Sequence, residues 1–362
     1  MKYFSGIEDI ALKVDFDYNP NSSNKIKFGP SVIYHTFKPG VSAFKLGYQD
    51  TSIIDTTFGN KNINSFEYGF FVEDDLNINR FFKVNIGARF SAMQLKDTFF
   101  YSIEPRISAR ILVSKKFSLK ASYAEMTQYL HFLTNSSIGL PTDLWLPATK
   151  IVQPEKSWQA AIGGFFNLFD DNYELSFEGF YKEMKGLIEY KEGESFFTSA
   201  LSSSNGGSAW EQKVEIGKGN AYGAELFFQK KTGKLTGWIG YTLSWSNRQF
   251  ENISFGKVFP YKYDRRHDVG ILMIYKFSDK FDLGVTWVYG TGNATTLAKH
   301  KYYTFSSNYP SYSYDPYYQP YNYSTVEYYE TRNNYRMQSY HRLDIGLNFN
   351  KKFKRWDRKS VV

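Results

Sequence analysis

Apolar and polar residues alternate one for one over stretches of about ten residues, and the pattern recurs from one end of the chain to the other. Ile10, Leu12, Val14, Phe16 and Tyr18 fall on one face of an extended segment, with Asp9, Ala11, Lys13, Asp15 and Asp17 on the other. Phe82, Val84, Ile86, Ala88 and Phe90 oppose Lys83, Asn85, Gly87, Arg89 and Ser91 in the same way. So do Ile103, Ile107, Ala109, Ile111 and Val113 against Ser102, Glu104, Arg106, Ser108 and Arg110. Further copies run from Tyr173 to Lys182, Ile239 to Ser246 and Phe281 to Gly290. Successive side chains of a strand point to opposite faces, so this period of two predicts about thirteen strands, each with one apolar and one ionic face.

The connections alternate too. Short polar turns are expected at 19–25, 77–80, 114–116, 170–172, 231–234 and 278–280. Long loops are expected between them at 39–62, 128–156, 190–217, 250–265 and 294–339, with only the link near 95–100 short. Tight turns therefore lie at one end of the strands and large loops at the other. Strands of about ten residues with this sorting predict an all-β, antiparallel, transmembrane outer-membrane β-barrel. Lipid offers no partner for a backbone N–H or C=O, so a spanning sheet must close on itself and show one face to lipid and one to the lumen. A soluble sandwich also alternates, but it would not sort its loops by length or need so many large aromatics on one face.

Composition sharpens the picture. Aromatic residues make up 19% of the 362 residues, with 30 Tyr and 33 Phe, yet the mean hydropathy is −0.47. No run approaches the roughly 18 apolar residues of a membrane-spanning helix. Trp158, Tyr181, Trp245 and Tyr289 lie at strand ends on the apolar face, the place of an interfacial aromatic girdle. There is no cysteine, and the formal charge of +8 is spread along the chain rather than gathered into a stripe, which argues against nucleic acid as a partner.

Candidate chemistry comes next. Asp264, Arg265, Arg266, His267 and Asp268 crowd charge at the head of an apolar run. The same Arg-x-Asp-apolar-Gly pattern returns at Arg342 and Asp344, which favours architecture over a unique active site. Alternation places Arg266, Asp268, Arg342 and Asp344 on the lumen face, with Glu225 and Arg248 beside them, as structural, plug or substrate contacts. No nucleophile is held beside a base, so no enzyme activity is expected. The five histidines have no ligand spacing, and neither a metal nor another cofactor is indicated. The segment 298–340 is rich in tyrosine, and Tyr312, Tyr314, Tyr317, Tyr318, Tyr321 and Tyr323 are candidates for ligand recognition, since a flat ring with a polar tip suits such surfaces. A low-complexity cap over the mouth explains the same composition. The proline-bearing segment 134–157 is expected to form a rigid gate or an ordered cap.

Five stretches together resemble the TonB-dependent outer-membrane receptors of the Bacteroides type: DFDYNPNSSNKIKFGPSVIYHTFKPG (15–40), SSIGLPTDLWLPATKIVQPEKSWQ (136–159), GKGNAYGAELFFQKKTGKLTGWIGYTLSWSNRQF (217–250), GKVFPYKYDRRHDVGI (256–271) and NNYRMQSYHRLDIGLNFNKKFK (333–354). The resemblance implies part of a 22-stranded barrel plugged by an N-terminal domain, a class of outer-membrane transporter. It also implies import of a scarce, bulky nutrient such as a metal chelate, cobalamin or a glycan. The energy would come from the TonB system acting through the plug, and lipid and lipopolysaccharide would surround the wall. Residues 1–362 read as one partial barrel domain: MKYFSGIEDIALKV is not a signal peptide, no plug is recognised, and the family pattern would continue for two more strands. Single-chain bacterial barrels have an even strand number, so an incomplete sheet with unpaired first and last strands is expected. A soluble or surface-attached all-β carbohydrate-binding protein and an unplugged porin are the alternatives.

Overall fold

The computed structural model describes residues 2–48, 51–59, 62–134, 143–194, 210–305 and 323–350. Thirteen strands form one wall: β1 Lys2–Lys13, β2 Asn24–Tyr48, β3 Ile63–Asn77, β4 Phe82–Leu95, β5 Thr98–Ser114, β6 Phe117–Gln128, β7 Glu155–Leu168, β8 Tyr173–Tyr190, β9 Val214–Lys230, β10 Leu235–Gln249, β11 His267–Ser278, β12 Phe281–Gly290 and β13 Tyr340–Phe349. Each wall strand pairs with its sequence neighbours, so the path runs from β1 to β13 in chain order. The count and the antiparallel meander are those expected from alternation. The sheet is open: among the described residues β1 pairs only with β2 along the wall, and β13 only with β12.

The two faces differ as the alternation demands. Ile10 and Leu12 are 74% and 69% exposed, and Phe66, Phe70, Ile86, Phe90, Ile107, Ile111, Phe177, Leu226, Ile239, Met273 and Phe277 are exposed on the same side. A contiguous apolar surface of this extent suits lipid rather than water. Along its loop-side margin, rings stack across five strands: Tyr123 and Trp158 at 6.1 Å, Trp158 and Tyr181 at 5.4 Å, Tyr181 and Tyr222 at 6.4 Å, Tyr222 and Trp245 at 5.3 Å. This is the expected girdle, with Tyr123 and Tyr222 added to it by register. Tyr289 stacks instead on Trp287, its neighbour on β12.

The long connections hold more order than their polarity suggested. Thr51–Gly59 pairs back onto β2, and Phe259–Pro260 onto β10. Leu130–Leu133 pairs with Leu144–Pro147, Ala294–Thr295 with Tyr335–Arg336, and His300–Phe305 with Tyr323–Tyr328. Once a segment leaves the wall its backbone groups still need partners, and these ribbons supply them locally. Leu130–Leu133 touches β8 while Leu144–Pro147 touches β1 and β2, so this ribbon crosses the inner side of the curved wall. It is seated by Leu133, Leu144, Leu146 and Val152 against Ile188, Tyr190 and Val214. The part of segment 134–157 that is described is therefore an inward cap. Phe37, Met93 and Tyr129 form a second buried cluster beside it.

Candidate functional site

The inner wall near the loops carries a chain of charged groups from neighbouring strands. Register sets Asp9 of β1 opposite His35 of β2, and Arg89 of β4 opposite Glu104 of β5. Asp9 Oδ1 lies 2.8 Å from His35 Nδ1, and His35 Nε2 lies 3.5 Å from Glu67 Oε2. Arg89 donates to Glu67 at 3.1 Å. Ser91 donates to Glu104 at 2.5 Å and sits 2.9 Å from the Tyr129 hydroxyl. Glu104 is only 2% exposed. Carboxylates so far from water persist only with such partners.

A second network ties the loops together above the wall. Arg248, at the end of β10, reaches Glu189 at 3.1 Å, and its guanidinium lies 3.6 Å from the Tyr261 ring centre. Arg332 contacts Glu189 at 3.6 Å and Glu192 at 3.3 Å, and its backbone N–H donates to Ser254 Oγ at 2.9 Å. Tyr329 donates to Glu192. Burial first, and then the bond to the Glu192 carboxylate, push the Tyr329 phenol up to about 12. Asp264, 1% exposed, accepts from the Ser246 N–H at 2.7 Å and from Arg336, with Arg266 at 3.4 Å. Asn333, buried with a left-handed φ of 52°, donates from Nδ2 to the Pro260 carbonyl at 2.9 Å.

The arrangement is a wall with an apolar outside, a charged inside and loops folded across one end. A family model described as TonB dependent receptor-like, beta-barrel matches residues 2–361. The chain belongs to this family. No curated protein matches it significantly. Among solved structures, it is similar to the ferripyoverdine receptor of the outer membrane of Pseudomonas aeruginosa (14% identity, TM-score 0.57, 97% of this chain and 43% of that one). It is also similar to the FrpB iron transporter from Neisseria meningitidis (14%, TM-score 0.59, 95% and 48%). The ferric yersiniabactin uptake receptor FyuA from Yersinia pestis gives 13%, TM-score 0.58, 95% and 46%. At these identities the likeness concerns the fold, and the chain spans less than half of each. The TonB-dependent receptor family and these neighbours are transport receptors rather than enzymes.

Most of the residues singled out in the sequence stand apart from one another in this receptor barrel. Asp268 lies opposite Thr242 and Gly290, 3.7 Å from Arg265. Glu225 is exposed on the inner face, opposite Glu178 and Thr242. Arg342 pairs with Asp344 at 2.8 Å, both exposed on β13. Arg248 and Arg266 each reach a buried carboxylate, Glu189 and Asp264. Arg266, whose carbonyl accepts from the Ser244 N–H, sets its guanidinium 3.4 Å from the buried Asp264 and 4.4 Å from the ring centre of Trp245. Tyr312, Tyr314, Tyr317, Tyr318 and Tyr321 lie outside the described residues, and Tyr323 is described only as backbone of a short strand.

The alternation gave no sign of His35, Glu67, Glu189, Asp264, Arg332 or Arg336 as network members. Their partners are distant in sequence, and the one local signal was charge placed at the end of an apolar run. Among the described residues no three His, Asp or Glu side chains gather as a metal site. The inner surface offers hydrogen-bonding and charged groups suited to holding a polar ligand.

Proposed function

We propose that this chain is barrel wall of an outer-membrane receptor that imports a scarce, bulky nutrient using the TonB system. A metal chelate, cobalamin and a glycan are the nutrient classes in view. The observation that supports this most is the division of one sheet into a lipid-suited aromatic face and a charged inner face capped by ribbons. In the complete receptor TonB would act through a plug domain, and lipid and lipopolysaccharide would border the outer face. The solved neighbours handle iron or ferric complexes, which makes a ferric chelate the first nutrient to test. The stretches resembling the Bacteroides type make a glycan the second.

Deleting the gene should abolish growth on one limiting nutrient while leaving general permeability to small solutes unchanged, with the protein found in the outer-membrane fraction. A general loss of permeability would point to an open porin. Recovery of the protein in detergent-free soluble fractions would sink the membrane reading in favour of a soluble carbohydrate-binding protein.

A further inference from the structure

The wall has a seam. β5 pairs with β4 from residue 98 to residue 111, but with β6 only from Arg106 to Ser114. β6 pairs with β7 as far as Gln128. Residues 98–105 and 125–128 therefore diverge without a ladder between them. The cause lies at Pro105. Leu112 donates its N–H to Phe81 on the β4 side, and alternate residues of a strand direct their N–H groups to opposite neighbours. The odd-numbered residues of β5 thus face β6, and Pro105, with no N–H, removes the donor where the ladder stops. Only side chains bridge the gap: Ser102 Oγ lies 2.7 Å from Thr127 Oγ1.

A hollow lies on each side of this seam. The outer one, 490 Å³, is lined by Tyr101, Ile103, Trp158 and Lys185, and the inner one, 380 Å³, by Arg106, Lys182, Glu104 and Tyr129. Met126, Thr127, Lys156 and Ser157 line both, so the partition is one layer of side chains. The outer hollow sets the exposed Tyr101 (76%) and Ile103 (58%) beside a charged rim, where Glu183 lies 3.8 Å from Lys185 and Glu125 accepts from the Tyr123 hydroxyl. Inside, Glu67 is matched by Arg89, Glu155 by His131, and the buried Glu104 accepts from Ser91, whereas Arg106 and Lys182 have no ion pair among the described residues, and Lys156 stands on the outer side in step with Trp158. Arg106 Nε is buried without a hydrogen-bond partner.

We propose that the seam is a binding site for an anionic amphiphile. Its headgroup sits between Arg106 and Lys182, and its hydrocarbon chain passes between Ser102 and Thr127 into lipid along Tyr101 and Ile103. The proposal rests on the outer face meeting lipid. An outer-leaflet lipid and an amphiphilic solute arriving through the lumen share this chemistry.

The test uses the intact receptor in phosphatidylcholine nanodiscs, with dodecyl phosphate as the calorimetric probe. The probe should bind, and R106Q/K182Q should weaken it about tenfold, as expected for losing charge-assisted bonds. Because the chain contains no cysteine, S102C/T127C can be closed by oxidation: binding should vanish and return with reductant in the same sample, which excludes misfolding. Displacement of the probe by added lipopolysaccharide would support a leaflet lipid as the occupant, and retention of the probe a soluble amphiphile. The proposal is overturned if inorganic phosphate competes as strongly as dodecyl phosphate, if neutral dodecyl maltoside binds as tightly, or if the closed disulfide leaves binding unchanged. Failure to insert into membranes would overturn the barrel reading itself, whereas insertion with an unresponsive seam would overturn only this site.

Discussion

β11 and β13 open on the same pattern, Arg-x-Asp-apolar-Gly, and meet different fates. Beside β11, Arg266 lies over Trp245 and 3.4 Å from Asp264, a residue just ahead of the motif that is buried under Arg336 and bonded to the Ser246 N–H. The motif's own Asp268 is exposed much as Asp344 is. On β13, Arg342 turns to its own Asp344, and every residue of the strand is exposed. The difference comes from neighbours: among the described residues β11 is paired on both sides and, with the residues just ahead of it, met by Thr291, Ala294 and Arg336, whereas β13 is paired only with β12. A repeated motif therefore marks where a strand starts without fixing what its charges do.

The sharpest way to break this comparison is Asp264→Asn. It removes the charge that compensates Arg336 and Arg266 in a dry position, and should cost about 3 kcal/mol in thermal unfolding, as for a broken buried pair. A cost below about 1 kcal/mol, the range of exposed pairs, would erase the contrast with β13.

Alkaline titration probes the same roof. The Tyr329 phenol holds its proton more tightly when folded than when unfolded, because burial and the Glu192 carboxylate both raise it to about 12. Its contribution is thus intact below the ordinary tyrosine value of about 10 and is lost as pH climbs toward 12. Ultraviolet titration should show one late phenol that Tyr329→Phe removes, and that variant should flatten the loss of stability in this window.

Arg266→Gln should have a smaller effect, about 0.5–1 kcal/mol, from loss of the cation–π contact with Trp245. Trp fluorescence should report it, and an unchanged spectrum would count against the stacking. Smallest of all, Arg342→Gln should change stability by less than about 0.5 kcal/mol, because an exposed pair gains little over water. A cost like that of Asp264→Asn would show that β13 is covered in the working receptor.

The wall was legible because one rule governs it. A face that alternates strictly has only one way to stand in a sheet, and Ile10, Leu12, Ile107 and Met273 are exposed as that rule requires. The turns were legible through their polar composition. The rule lapses where ladders end, so the ribbons inside the loops went unseen. Contacts such as Arg336 with Asp264 join residues whose spacing carries no period. Pro105 did leave a local signal, since a proline inside a paired strand is out of place unless the ladder is broken there.

The strictly sequential pairing of the wall also sets an order in time. Each strand finds its partner in the next one along the chain, so the wall can be laid down hairpin by hairpin with little loop-closure cost at each step. The contacts of the mouth are of another kind: Arg332 meets Glu192 across 140 residues and Arg336 meets Asp264 across 72. These form only after β8 to β12 stand side by side, so during assembly the roof is the last part to close.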